Sequence, residues 1–481
     1  MSIDATIPIP TYKPGYYFGF NTTLASRALA TNDQKLVILA QRTTLPTAAE
    51  RLTPVDVFSD EDAAVYFGRG SQAHRMAKAA IYANGYLQLA IVGLEDAAAG
   101  VAATGALTLS GAATGSGQAR LSVCGVTVAT AVASGDTAEA VMTALAKAIN
   151  TRQELPLSAS VEDIPAEGGG GAKATGKQIT LIARNKGTVG NQVGLTATVN
   201  ATGLTATLKA MSGGQGDPAL DDALAAIFSA GHTLVISPYS DTASLRTLST
   251  HLDKVSGPLE QRGAVGVTGW NGTLSTGTTL TTAVNAARIS MGWYNGSALP
   301  NGELAAVYAA IVASESDPAR PLNTLALPGL DITGQDKWPG RTEQENALGN
   351  GLTPFEVSGS TVQIVRAVST YVKNAMDVTD RSLMDITIIR SLDYVRLACR
   401  TRMTQRFPRE KLTDTRLARI RSELLDVLYS LETLEIVENV DALKDQLIVT
   451  RNLQDDTRAD ATIPASVVRG LHVFAGTIYL L

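Results

Sequence analysis

Two short apolar runs on either side of a helical segment constrain the fold of this chain more than any other feature. The runs are residues 35–40 and 86–92, and each has the length of a strand that is covered on both faces. Between them, Ser59 with Asp62 three residues later is typical of a helix start, and residues 71–83 have the pattern of a helix that ends at Asn84-Gly85. Because two strands joined by a helix form a parallel crossover, the sequence predicts an α/β sheet.

The same alternation resumes after residue 216. Asp217-Pro218 has the pattern of a helix cap, and apolar runs with strand character alternate with helical segments beyond it. The predicted strands are 233–236 and 264–267, and the predicted helices are 220–228, 241–255, 278–288 and 303–313. We therefore expect one α/β core built from residues 30–93 and 217–359, with a separate module inserted between them.

The composition changes between residues 94 and 216, where Gly, Ala, Thr and Ser dominate and charged residues become rare. Alternating polar and apolar residues predict half-buried strands, and Val141, Leu145 and Ile149 form one face of a predicted helix over 136–149. The predicted strands are 119–128, 178–183, 193–199 and 204–208. This stretch is predicted to be an inserted β-rich outer domain.

The two ends of the chain differ from this core. Residues 1–29 are punctuated by Pro and Tyr without a helical period, so we expect an extended N-terminal arm. Residues 360–481 are predicted to be helical and to end in a strand over 471–481. The predicted helices are one that Ser360 caps, with Val365, Val368, Val372 and Met376 on one stripe, a long helix over 383–407, and a third from Asp414.

Charge and cysteine content argue against several classes of protein. With 40 Lys and Arg residues against 45 Asp and Glu residues, the chain lacks the dominant basic surface that direct nucleic-acid binding requires. Cys124 and Cys399 are too few and too far apart in sequence for a disulfide framework. The start of the sequence does not resemble a signal peptide, and the longest apolar stretch, near 87–94, is too short to span a bilayer. We expect a protein that folds in a cytoplasm and inserts in no membrane.

Two sequence patterns suggest enzyme chemistry only weakly. Residues 171–178 resemble a phosphate-binding loop, but Gln178 stands where a hydroxyl would bind magnesium, and a strand-like segment follows instead of a helix. His232, Asp241 and a nearby serine, Ser237 or Ser240, could form a hydrolase triad, although no strained nucleophile elbow is present. The four histidines lack zinc-binding spacing. We expect no enzyme activity, no metal and no cofactor, with a subtilisin-like hydrolase as a less favoured alternative.

Charge is segregated in the last hundred residues. Residues 390–421 are rich in arginine, and residues 423–460 are rich in aspartate and glutamate. Two interpretations stay open: the two sets face each other across a helix pair, or the basic set binds an acidic partner.

The two chain ends carry backbone groups that a monomer should not leave unpaired. The arm and the terminal strand can pair with the sheet of a neighbouring subunit by β-augmentation, or fold back onto their own sheet.

Several collinear segments resemble the tail sheath proteins of Mu-like contractile-tailed bacteriophages. They cover most of the chain and are weakest in the arm and in the inserted module. The segments are 183–191, 237–241, 317–322, 346–354, 392–396 and 406–409.

The resemblance implies a subtilisin-like three-layer core without protease activity. It implies hexameric rings that stack helically around a tail tube. The implied partners are the tail tube, baseplate and tail terminator proteins, and the implied location is a virion tail assembled in the host cytoplasm. Contraction would then drive the tube through the host envelope without nucleotide. A headless contractile injection particle (tailocin-like) is the alternative.

The resemblance also suggests roles for individual residues. The candidates for a tube-facing surface are Arg396, Arg400, Arg402, Arg406 and Arg409. The candidates for intersubunit strands are Tyr16, Tyr17, Phe18, Val473, Phe474, Ile478 and Tyr479.

Overall fold

The computed structural model describes residues 14, 29–44, 51–164 and 176–480. Almost all of the predicted arm over 1–29 therefore lies outside the described residues. The chain divides into two compact units. The core unit comprises Asn32–Tyr394 and Val467–Leu481, and the helical unit comprises Val395–Ser466 with the few described residues before Asn32.

The described residues contain the following elements. The helices are α1 (Asp60–Phe67), α2 (Gln72–Ala83), α3 (Ala138–Thr151), α4 (Asp221–Ile227), α5 (Thr242–Val255), α6 (Leu274–Val284), α7 (Asn301–Ser314), α8 (Arg341–Gly349), α9 (Ile386–Arg406), α10 (Asp414–Thr433) and α11 (Val440–Leu443). The strands are β1 (Lys35–Gln41), β2 (Val55–Asp56), β3 (Gln88–Leu94), β4 (Ala102–Gly111), β5 (Gly117–Val123), β6 (Val126–Val132), β7 (Leu157–Asp163), β8 (Lys177–Lys186), β9 (Leu195–Val199), β10 (Leu204–Ser212), β11 (Leu234–Ile236), β12 (Val265–Trp270), β13 (Ile289–Trp293), β14 (Thr353–Ser358), β15 (Thr361–Ile364), β16 (Val437–Glu438), β17 (Ile448–Arg451), β18 (Ala459–Thr462) and β19 (Ser466–Val467).

An eight-stranded sheet forms the centre of the core unit, in the order β15-β14-β13-β12-β11-β1-β3-β2. The strands from β14 to β3 are parallel, and β2 and β15 run antiparallel at the two edges. β1 pairs with β3 in parallel, with α1 and α2 between them in sequence, so the predicted crossover is confirmed. Ser59 and Ser71 cap α1 and α2, each by accepting a backbone N–H three residues later.

Helices pack on both faces of this sheet. Leu36 and Ile38 of β1 share a buried cluster with Met76 of α2. Val37 and Leu39, which alternate with them along the strand, pack with the α5 side chain Leu248 on the other face. A mixed α/β fold is therefore confirmed, while its likeness to subtilisin stays a prediction.

The strands β4 to β10 form two smaller antiparallel sheets, β10-β4-β8-β7 and β6-β5-β9, and α3 packs with them. The α3 side chains Val141, Leu145 and Ile149 are buried as predicted. The run predicted as one strand over 119–128 is instead a hairpin. Its turn is Cys124-Gly125, where both residues have positive φ, as a two-residue hairpin turn requires. The domain boundaries at 94 and 216 stay predictions.

The helix predicted from Ser360 is wrong. Thr361, Val362 and Ile364 lie in β15, which pairs with β14 across a turn at Gly359. β-branched residues fit a pleated surface better than a helix, and residues 365–385 that follow are irregular apart from isolated bridges. Met376, expected on the inward stripe, is 84% exposed.

Two helix starts also differ from prediction. Asp217 does not cap α4, because its carboxylate accepts the Thr188 backbone N–H at 2.7 Å, and α4 begins only at Asp221. α6 begins at Leu274, four residues before the predicted start at 278, because Thr273 supplies the capping oxygen. α8 was not predicted.

The two long C-terminal helices, α9 and α10, are confirmed. Thr413 caps α10, and Leu417, Leu424 and Leu428 are buried along it. The helical unit also contains the hairpin of β17 and β18.

The predicted terminal strand over 471–481 is not formed in the single chain. Residues 468–480 have no regular secondary structure. A strand requires a partner for its backbone hydrogen bonds, and none of the described segments pairs with this one. Among the described residues, no helix is long and apolar enough to cross a membrane.

Candidate interaction surfaces

The basic side chains of α9 differ in what they contact. Arg402 is only 3% exposed, and its Nη1 atom lies 2.6 Å from Asp426 Oδ2 and 3.1 Å from Glu423 Oε2, both on α10. Arg406 Nε is 3.7 Å from the same Glu423 oxygen. Opposite charges therefore face each other across the α9–α10 pair, which confirms the first interpretation of the segregated charge for these residues.

This burial removes Arg402 from the tube-facing candidates, because a buried guanidinium with two carboxylate partners is not available to another protein. Arg396 is half-buried. Arg400 and Arg409 are exposed and form no ion pair with any residue that the structure describes. Two further exposed cations of the helical unit, Lys411 and Arg419, belong to the same basic stretch.

Arg390, at the start of the basic stretch, lies inside the core unit. Its Nη2 atom donates to the Glu315 carbonyl oxygen at 2.6 Å, and burial lowers the pKa of Arg390 to about 10. A charge count along the sequence therefore overstates the basic surface, since Arg390 and Arg402 are both internal.

The C-terminal tail, residues 468–480, is anchored at its base and exposed beyond it. His472 Nε2 lies 3.7 Å from Asp385 Oδ1, and Arg366 donates to both oxygens of that carboxylate at 2.7 and 2.9 Å. Gly470 lies so close to Pro321 that a Cβ would be 2.5 Å from the Pro321 Cγ. Burial lowers the pKa of His472.

Beyond this anchor, the predicted strand residues expose large apolar side chains. Val473 is 78% exposed, and Phe474, Ile478 and Tyr479 are 80% exposed or more. Such a run is unusual on the surface of a monomer. The arm candidates Tyr16, Tyr17 and Phe18 lie outside the described residues.

The hairpin of β17 and β18 is a two-stranded sheet with mostly exposed residues. Its strands pair only with each other among the described segments, so the outer edge of each has no strand partner there. β17 packs beside α10, and a third strand would extend this two-stranded sheet.

The residues of the imagined hydrolase triad do not converge. His232 lies before β11, whereas Ser237 and Ser240 follow it at the other end of the strand. Asp241 caps α5 by accepting the N–H groups of Ala243 and Ser244. The phosphate-loop resemblance also has no structural support, because Lys177 and Gln178 begin the strand β8 and not a helix.

Comparison with known proteins identifies the family. The model of the phage tail sheath protein central domain matches residues 213–370, and that of the phage tail sheath C-terminal domain matches residues 378–480. The chain is 32% identical over 492 residues to the Mu-like prophage FluMu tail sheath protein of Haemophilus influenzae, covering 98% of both chains. The chain belongs to the phage tail sheath family. It is therefore a structural protein of a contractile, Mu-like tail and not an enzyme.

The fold is also similar to that of a solved sheath protein. The sheath tail protein of Desulfitobacterium hafniense matches with a TM-score of 0.51 and 14% identity, over 95% of this chain and 97% of that one. At this identity the likeness concerns the fold alone, and the mixed α/β architecture agrees with it.

Proposed function

We propose that this chain forms the contractile sheath of a phage tail, as hexameric rings stacked helically around a tail tube. A baseplate would trigger contraction and a tail terminator would close the far end. The complete particle would be assembled in the host cytoplasm, and contraction would drive the tube through the host envelope. Residues 94–216 are proposed to face outward. A phage tail is preferred to a headless particle because the similar Haemophilus influenzae protein is named as a prophage tail sheath.

The observation that carries this proposal is the exposed apolar tail of the core unit, together with the unpaired hairpin β17–β18 of the helical unit. The tail exposes Val473, Phe474 and Ile478 but pairs with no strand in the described part of the chain. The hairpin has strand edges, and no third strand joins it among the residues that the structure describes. If the tail of one subunit paired as a strand with the hairpin of another, the tail would gain a strand partner and the hairpin would gain a third strand.

The energy of this pairing suits a lattice that changes shape. Each added backbone hydrogen bond contributes a net ~0.5 to 1.5 kcal/mol, so a strand of about five residues adds roughly 3 to 7 kcal/mol. The anchor at Gly470 and His472 would fix where the tail leaves each subunit. Subunits could then rotate about the tail without separating.

Proline substitution tests this pairing. Ile478→Pro removes a backbone donor from the proposed strand, and Ile478→Val keeps the donor and the apolar side chain. Negative-stain electron microscopy should show sheath tubes or rings for the wild type and for Ile478→Val, and none for Ile478→Pro or for a chain that ends at Gly470. Normal tubes from the truncated chain would refute the strand exchange.

The tube-facing surface is proposed to include Arg400 and Arg409, the exposed members of the candidate set. Arg396 and Arg406 could contribute only through the exposed part of their side chains. Such rim charges set register and association rate more than affinity.

Charge reversal separates tube binding from self-assembly. The double variant Arg400→Glu with Arg409→Glu should lose the ability to sheathe tail tubes while still forming empty sheath. Lys209→Glu, at an exposed position in β10, is the control and should sheathe tubes normally. Equal behaviour of the two variants would refute the assignment of this surface.

A further inference from the structure

The chain contains five Asn-Gly steps, which are the sequence most open to spontaneous deamidation. The backbone nitrogen of the glycine attacks the side-chain amide carbon of the asparagine, ammonia leaves, and water opens the resulting succinimide to aspartate or isoaspartate. Glycine favours ring closure because it has no Cβ to obstruct it and moves freely. The steps are Asn84-Gly85, Asn271-Gly272, Asn295-Gly296, Asn301-Gly302 and Asn350-Gly351.

Asn84-Gly85 has a free nucleophile. Gly85 is exposed, and apart from its two chain neighbours no atom of the described residues lies within 4 Å of the position of a notional Cβ. Its backbone N–H forms no hydrogen bond with any residue that the structure describes. Asn84 follows the last residue of α2 with extended backbone angles, so the step lies outside the helix.

The electrophile of the same step is activated. The Tyr86 backbone N–H donates to Asn84 Oδ1 at 3.0 Å. Negative charge develops on this oxygen when the amide carbon becomes tetrahedral, and a donor placed there stabilises that charge. Attacking group and oxyanion donor are therefore adjacent in one exposed turn.

At two of the other steps the glycine backbone N–H, which is the attacking group, is already hydrogen-bonded. The Gly296 N–H donates to the Asn271 carbonyl oxygen at 3.1 Å, and the Gly351 N–H donates to the Leu348 carbonyl oxygen at 3.2 Å. Ring closure at these steps first requires a hydrogen bond to break.

The remaining two steps are held by packing. Asn301 is 1% exposed, and a Cβ on Gly302 would lie 2.8 Å from Met76 Sδ. Gly272 lies against the Trp270 ring, and its carbonyl oxygen accepts the Trp293 indole N–H at 2.9 Å. Close packing therefore opposes the rotation that ring closure requires at both steps.

We propose that Asn84 is a site of spontaneous deamidation in the folded chain. The Gly85 nitrogen bonds to Cγ of Asn84, and the Cγ–Nδ2 bond breaks. Nδ2 leaves as ammonia after taking up the proton that the Gly85 nitrogen loses. Water then opens the succinimide ring. The product lacks the Asn84 Nδ2 donor that now binds the Ala310 carbonyl oxygen of α7 at 3.3 Å. It also places a carboxylate beside that oxygen, so the reaction weakens the contact between the end of α2 and α7.

Peptide mass mapping of the aged, folded chain tests this proposal. The amide-to-acid mass gain should accumulate at Asn84 before any other Asn-Gly step, and faster at mildly alkaline pH. Gly85→Ala, at a position with open space and no positive φ, should remove most of this gain. Isoaspartate-specific methyl transfer would identify the rearranged product.

The same chain in urea is the control, because without structure all five steps should convert at similar rates. Faster conversion of another step in the folded chain, or no conversion at Asn84 while the urea sample converts, would overturn the proposal. Peptide mass mapping measures deamidation in the chain itself, so its result does not depend on whether the chain assembles into a sheath.

Discussion

Replacing Arg402 by methionine should destabilise the helical unit, because it removes the cation between two carboxylates on α10. Breaking a fully buried ion pair costs about 3 to 5 kcal/mol, and an exposed pair contributes about 0 to 1 kcal/mol. Arg402 is 3% exposed, but Glu423 and Asp426 are 25% and 34% exposed and keep part of their hydration. We therefore expect a loss of about 2 kcal/mol. Methionine retains the apolar stem, so the loss reports the charge.

Arg400→Met is the matched control, since Arg400 is on the same helix but exposed. Its effect should stay within about 0.5 kcal/mol. Urea unfolding followed by far-ultraviolet circular dichroism measures both variants, with the midpoint lowered at constant slope for Arg402→Met. Amide exchange along α10 should quicken in that variant alone. Equal midpoints for the two variants would refute the internal role of Arg402.

Two more predictions concern buried titratable groups. Burial lowers the pKa of His251 to about 4 in the folded chain, from about 6.5 in the unfolded chain. The unfolded chain therefore binds a proton first, so the free energy of unfolding is highest above about pH 6.5 and falls as pH falls toward 4. The loss over that range is about 3 kcal/mol. His251→Phe should make the free energy of unfolding, measured by urea titration, less dependent on pH; unchanged dependence would contradict this. Burial raises the pKa of Cys124 to about 12 and that of Cys399 to about 11, so neither thiol should react with Ellman's reagent until urea unfolds the chain. Rapid reaction in the native protein would contradict their burial.

Strong periodicity made much of the fold predictable. The runs at β1 and β3 are apolar on both faces, as is typical of a covered parallel strand, and the long apolar stripe of α10 was evident from spacing. By contrast, β4 and β7 were not predicted, although apolar and polar residues alternate along β7 from Leu157 to Glu162.

The errors have physical causes that spacing does not reveal. The residues from Val365 to Met376 recur at helical intervals, but the β-branched run before them pairs with β14 and ends the regular structure. Whether an arginine of α9 is buried or exposed also depends on how α10 packs against that helix. Arg402 and Arg400 are two positions apart, yet Arg402 is buried between carboxylates of α10 and Arg400 is exposed. The terminal strand requires a partner, and the described segments of the single chain supply none.

A cryo-electron microscopy reconstruction of the assembled particle tests the central claim most directly. The account predicts that residues 471–480 of one subunit form a strand hydrogen-bonded to β17 or β18 of a neighbour. A tail that folds onto the sheet of its own subunit, or that contacts no neighbour, would contradict it.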